Sequence, residues 1–181
     1  MIKSHFLRLC PNCGGDITDE RLFKGLPCPR CLPEEGLPLK EGLKSGEVYE
    51  FLKVLDELIS WSTHFEAHMK SSPWGLQMAW AKRVFLGRSF ALLAPTGVGK
   101  TSFGVSMASF FSLKNFRSYI IVPTIILVRQ ITDKLLQFGV KEEEILAFGG
   151  EDSRNELKVK RDRLKSGGFR ILVSTSMFLY R

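Results

Sequence analysis

Phe90-Ala91-Leu92-Leu93-Ala94-Pro95-Thr96-Gly97-Val98-Gly99-Lys100-Thr101 is the stretch on which the fold turns. The apolar run Phe90 to Leu93 predicts a strand, and the apolar spacing from Ser102 to about Leu113 predicts a helix. Between them lies a loop with glycine at 97 and 99. Strand, glycine-bearing loop and helix, in that order, are the context of a phosphate-binding loop. Gly97 and Gly99 let backbone N–H groups approach phosphate oxygens where a Cβ would crowd them. The dipole at the start of the helix adds positive potential. Lys100 is placed to reach the β- and γ-phosphates, and the Thr101 hydroxyl to ligate Mg²⁺. Ala94, Pro95, Thr96 and Val98 complete the candidate nucleotide loop.

The general pattern G-x-x-x-x-G-K-[ST] has glycine where this chain has Ala94. In that departure the loop resembles the A-x-T-G-x-G-K-T form of helicase-type ATPases. The competing reading is an ordinary glycine-rich turn before a helix. It is disfavoured because strand, loop, Lys-Thr and helix all agree.

At the other end, all four cysteines fall in two C-x-x-C pairs, Cys10/Cys13 and Cys28/Cys31, with 14 residues between the pairs. Each pair lets two thiolates hold one ion from a tight turn, with Gly14 allowing the backbone to curl back. Together they predict a closed Cys₄ zinc ribbon over Leu9 to Pro33, a structural rather than a catalytic site. Two disulfides or a redox pair are the competing readings; no βαβ pattern surrounds either pair, which speaks against the redox one. His5, His64 and His68 are not needed as ligands, and His64 and His68 read as helix-surface residues.

The chain has 181 residues, 44% apolar content and a formal net charge of +7. The first two allow one domain with a small appendage. The charge favours polyanionic partners, nucleic acid above all. No apolar run approaches a membrane span, and the N-terminus lacks a signal-peptide pattern. No membrane partner is expected, and a cytoplasmic location is the default.

Pro33 to Gly46 reads as a linker, which sets expected domains of 1–40, ribbon and linker, and 41–181, the nucleotide-binding domain. A helix is predicted over Glu47 to about His68, its apolar stripe being Val48, Phe51, Leu52, Leu55, Leu58, Ile59 and Phe65. A second helix is expected from Gln77 to Leu86. Gln77 lies 23 residues before Lys100. In helicase-type ATPases a Gln near this position holds the adenine edge, and an amide suits that task because it offers donor and acceptor together. Trp74 and Phe65 are both candidates to stack on the base.

Downstream, Ser118 to Val122 reads as a buried strand, and Ile145 to Phe148 and Arg170 to Ser176 read as further strands. Pro123-Thr124 begins a helix running to about Phe138 and resembles helicase motif Ia; its exposed N–H groups are a candidate contact for a nucleic-acid phosphate. Gly149-Gly150 reads either as a close approach for a nucleic-acid strand or as a simple turn. Arg170 to Thr175 resembles motif Ib, which brings Thr175 into the candidate nucleic-acid set of Pro123, Thr124, Gly149 and Thr175. Over Ser153 to Ser166 a charged helix carries Arg154, Lys158, Arg161 and Lys165 on one face, read as solvated, with a phosphate-contacting face as the competing reading.

A P-loop ATPase needs a carboxylate at the end of another strand to orient Mg²⁺ and the attacking water. Glu142-Glu143-Glu144 precedes a strand instead, so no catalytic residue is assigned in this chain. The expected fold is α/β: an N-terminal zinc ribbon followed by a RecA-like P-loop domain with a parallel sheet, cut short at its C-terminus.

The ribbon, Pro73-Trp74-Gly75-Leu76-Gln77 and Ala94 to Gly104 together resemble the reverse gyrase family. The resemblance implies an ATP-dependent topoisomerase that introduces positive supercoils into DNA, with Zn²⁺, ATP and Mg²⁺ as cofactors. It implies DNA as a partner, and a second RecA-like lobe and a type IA topoisomerase module elsewhere in the same polypeptide. The alternatives are a superfamily 2 DNA or RNA helicase carrying a ribbon, and a non-enzymatic zinc module with a vestigial P-loop.

Overall fold

The computed structural model describes residues 4–149 and 152–180. The chain forms two compact units, one from Met1–Ser60 with Lys82–Arg88, the other from Trp61–Ala81 with Ser89–Arg181.

In the first unit β1 (His5–Phe6) pairs antiparallel with β2 (Ile17–Thr18). Thr18 caps α1 (Asp19–Phe23) by accepting from the Arg21 N–H. Arg21 is buried, and its Nη1 donates to the carbonyls of Pro27 at 3.0 Å and Leu32 at 2.6 Å. A short α2 (Leu39–Gly42) lies within the expected linker. The long α3 (Glu47–Met69) begins in this unit.

The start of α3 is held by Asn12, a residue between the first two cysteines. Its Oδ1 accepts from Val48 N at 3.1 Å and Tyr49 N at 3.3 Å, and its Nδ2 donates to Ser45 O at 2.8 Å. Those two amides are among the donors that a helix cannot satisfy internally. Gly46, at φ +107°, makes the approach possible, since a Cβ there would lie 2.4 Å from Asn12 Nδ2.

The second unit contains the end of α3 and most of α4 (Gly75–Phe85). It also holds α5 (Lys100–Leu113), β3 (Ser118–Val122), α6 (Ile125–Gln137), β4 (Ile145–Phe148), α7 (Arg154–Ser166) and β5 (Ile171–Thr175). The three strands form one parallel sheet in the order β3-β5-β4. Strand alternation sorts the core. Ile171 and Val173 face α5 and α6, joining Val105, Val128, Ile131 and Leu135; Leu172 faces the other way, joining Leu146 and Phe148 beneath Leu157 and Leu164 of α7. This is the α/β, parallel-sheet architecture expected from the sequence.

Three local expectations are corrected. Phe90 to Leu93 is irregular and partly exposed, with Leu93 at 94%. A strand exists only where a ladder partner supplies its hydrogen bonds, and among the described residues none lies beside it. In α3 the buried residues are Val54, Leu58, Trp61 and Phe65, whereas Phe51 and Ile59 are exposed. The true stripe is rotated because Trp61, absent from the predicted one, occupies its centre. His64 and His68 are half-buried rather than on the surface. Ser109 Oγ donates to Phe138 O, so His64 Nε2, 3.1 Å away, donates to Ser109 Oγ; His68 stacks on the Phe138 ring.

Candidate nucleotide loop, metal centre and nucleic-acid edge

The loop from Ala94 to Thr101 runs into α5 at Lys100. Gly97 and Gly99 have φ of +86° and +83°, in the left-handed region that glycine enters without strain. Gly99 occupies the N-cap, and no side chain caps the first turn, which leaves the leading amides of α5 directed at the loop. Lys100 folds back so that its ammonium donates to Ala94 O at 2.5 Å and Pro95 O at 2.7 Å. The side chain is thereby held within the turn, where a phosphate cradled by these amides would meet it. Lys100 and Thr101 stand at one end of a cavity of about 640 Å³ that runs between α5 and β3 past Tyr119 and Ile121.

Gln77 is buried, and its amide ties the start of α4 to this loop. Oε1 accepts from Trp74 N at 3.0 Å, and Nε2 donates to Gly99 O at 3.4 Å. A Cβ at Gly99 would lie 2.7 Å from Gln77 Nε2, so glycine is required there for contact as well as for φ. One N–H and one lone pair of the amide remain for another partner. Of the two aromatic candidates, Phe65 is buried against Trp61, with ring centroids 5.4 Å apart, while Trp74 is 62% exposed. Trp74 is the ring with a free face.

The four cysteine sulfurs lie within 4.8 Å of one another, and Cys13 Sγ is 3.7 Å from Cys28 Sγ. Ligands at about 2.3 Å in a tetrahedron sit about 3.8 Å apart, so the donor set fits one Zn²⁺. Burial opposes ionisation of Cys10, but N–H groups of Cys28, Asn12 and Cys13 outweigh it and hold the thiol down at about 6. Burial pushes Cys31 up to about 12 and raises Cys28. One thiolate is thus prepared by backbone amides, and a cation would draw the other protons off.

Parallel register brings all four candidate nucleic-acid residues to one edge of the sheet. Val122 pairs with Thr175 and Phe148 with Ser174, so Pro123-Thr124, Gly149 and Thr175 all sit at the C-terminal ends of the strands. Pro123 and Thr124 are exposed, and Gly149 and Thr175 partly so. Thr124 caps α6 by accepting from Leu127 N. Gly150 lies outside the described residues. Glu142–Glu144 form a turn at the opposite edge, before β4.

The sequence reading missed Asn12 and Arg21, which position the cysteine turns. It missed Asp152 as well, whose carboxylate pairs with Lys160 beside Gly149. A polar residue inside C-P-N-C was the only available hint of the first.

Residues 1–50 match the family described as reverse gyrase zinc finger, and residues 75–181 the DEAD/DEAH box helicase family. The chain is 50% identical to reverse gyrase 1 of Aquifex aeolicus over 100% of its own length and 16% of that protein's. It is 39% identical to reverse gyrase 1 of Aeropyrum pernix, over 94% of this chain and 14% of the relative. The reverse gyrase of Pyrococcus furiosus is 36% identical, over 98% and 16%. The chain therefore spans about a sixth of the length of these relatives. It belongs to the DEAD/DEAH box helicase family, and its first 50 residues are similar to the reverse gyrase zinc finger.

Proposed function

We propose that the chain binds Mg·ATP and DNA as part of an ATP-driven topoisomerase that introduces positive supercoils. The supporting observation is the connected geometry of Gln77, Gly99 and Lys100, within a chain similar along its whole length to reverse gyrases. Lys100 would neutralise the β- and γ-phosphates, Thr101 would ligate Mg²⁺, and the amides of Gly97 to Thr101 would cradle phosphate oxygens. Gln77 would offer its remaining donor and acceptor to adenine, with Trp74 stacking on the ring. Zn²⁺ on Cys10, Cys13, Cys28 and Cys31 would be structural. Pro123, Thr124, Gly149 and Thr175 would meet the DNA backbone. The second RecA-like lobe and the type IA topoisomerase module would lie elsewhere in the polypeptide, which would act in the cytoplasm. No helix among the described residues is long and apolar enough to cross a membrane.

The strands β3, β4 and β5 end in Val122, Phe148 and Thr175, and Asp152, the carboxylate beside Gly149, is paired with Lys160 rather than free to orient a water. The 181-residue chain should therefore bind Mg·ATP but turn it over very slowly. An arginine finger supplied by another lobe is worth about 10³–10⁵ in rate where it operates. The test is nucleotide titration beside a steady-state ATPase assay. Lys100→Ala should abolish binding; robust DNA-stimulated hydrolysis by this chain alone would refute the account. A superfamily 2 helicase with a ribbon is the alternative that the DEAD/DEAH match favours. Positive supercoiling by the whole polypeptide separates the two.

A further inference from the structure

The 13 residues of α7 hold six basic and two acidic side chains, a net +4 within a chain whose total is +7. The basic residues divide into two groups. Lys160 pairs with Asp152, and Arg163 donates to Glu143 O and Gly168 O, so these two are built into the fold. Arg154, Lys158, Arg161 and Lys165 are exposed and have no ion pair or hydrogen bond among the described residues.

At about 100° per residue these four fall within an arc of about 60°, beside the face that buries Leu157 and Leu164. At about 1.5 Å per residue they form a stripe about 16 Å long. They line a shallow groove together with Leu157 and Asp162, the one acid in it. Four like charges at i, i+4, i+7 and i+11 repel one another, a cost that neighbouring anions would remove. The stripe begins just after Gly149, at the sheet edge that carries Thr124 and Thr175.

We infer that this stripe is a second contact with DNA, and that it tracks the backbone of a duplex. This rests on the proposed DNA reading and extends it away from the strand ends. Duplex DNA presents one phosphate charge per about 1.7 Å of axis, so a stripe of this length faces several phosphates at once. Proteins that hold single strands add aromatic rings on which bases stack, and α7 has none. Phosphate contacts of this kind position the nucleic acid without reading its sequence.

The test compares the unsubstituted chain with a variant carrying Arg154→Gln, Lys158→Gln, Arg161→Gln and Lys165→Gln. Fluorescence anisotropy follows a labelled duplex, and separately a single strand of equal length, at several salt concentrations. The slope of log affinity against log salt for duplex should become shallower by about 0.9 per lost contact, a change of about 2–4, and affinity should fall tenfold or more. Single-strand affinity should fall much less. Asp162→Asn should tighten duplex binding. Zinc content and Mg·ATP binding should not change and the melting temperature should not fall, which separates the effect from misfolding. Duplex binding with an unchanged slope would overturn the inference while leaving the strand-end reading intact, and a larger loss for single strands would overturn the choice of duplex. No DNA binding by the unsubstituted chain would overturn both readings.

Discussion

In the cysteine-bearing unit the most enclosed side chains are Ile17, Pro27, Leu32, Leu43, Cys28 and Cys10, with the polar Asn12 and Arg21 among them. Its only sheet among the described residues has two residues in each strand. In the P-loop unit a layered apolar core, Val105, Val128, Ile131, Leu135, Ile171 and Val173, fills one side of a parallel sheet. The first unit is too small to bury enough apolar surface, and needs a metal and directed polar contacts as staples. The second can rely on burial. Both use one enclosed amide to fasten a loop: Asn12 joins a cysteine turn to α3, and Gln77 joins α4 to the P-loop. The units should therefore fail under different insults.

The largest effect should come from removing zinc. Structural zinc in small modules contributes roughly 10–16 kcal/mol of apparent binding free energy near neutral pH. Chelation should abolish amide protection over residues 4–35 and also at Val48 and Tyr49, whose cap belongs to the first cysteine turn. The core strands β4 and β5 should stay protected. Elemental analysis should show one zinc per chain. Metal-free protein with intact protection in the cysteine turns would break the contrast between the units.

The reciprocal insult is Leu135→Ala. Leu135 is fully buried in the core of the P-loop unit, and truncation at such a site costs about 2–5 kcal/mol. Denaturant unfolding should show that loss, with zinc stoichiometry unchanged. Loss of zinc in this variant would mean that the units fold as one.

Asn12→Ala should have a smaller effect. It removes an N-terminal cap, typically about 0.5–2 kcal/mol, and leaves Ser45 O without its donor. Faster hydrogen exchange at Val48 and Tyr49, with zinc retained, is the expected signature. Unchanged exchange there would show that the amide is not what holds the start of α3.

Asn12, Trp61 and His64, whose roles stayed illegible, share one property. The cysteine spacing, the P-loop and the strands β3, β4 and β5 are local patterns, readable within a short window. Asn12 acts on residues 36 and 37 positions away, and Trp61 and His64 on partners 45 away. Periodicity carries no information about such pairings. Phe90 to Leu93 has the composition of a strand, but its state depends on a ladder partner that composition cannot supply.

His64 gives the P-loop unit a pH dependence. Burial, then the neighbouring His68, lowers its pKa from 6.5 to about 4. A histidine depressed on folding binds protons more readily when unfolded. Its contribution is complete above about 6.5 and is lost as the pH falls from there toward 4. Melting temperature should drop across that window, and His64→Gln, which can still donate to Ser109, should flatten the drop. An identical pH profile for both proteins would exclude His64 as its source.

Gln77→Ala is the smallest and most selective test. The amide makes two neutral hydrogen bonds, each with a net value of about 0.5–1.5 kcal/mol, one with the backbone at the start of α4 and one with the backbone of the P-loop. Their loss should slightly destabilise the P-loop unit and leave zinc unaffected. The nucleotide result separates two roles. If Gln77 only fastens the loop, the variant should lose the same several-fold affinity for ATP and for a triphosphate lacking the N6 amino group of adenine. If its remaining donor and acceptor also read the base, ATP should suffer more than that analogue. Direct titration of both nucleotides against both proteins gives the answer as a coupling between residue and amino group. A coupling near zero would reduce Gln77 to the counterpart of Asn12, an amide that holds a loop; a several-fold coupling would make it a recognition residue as well.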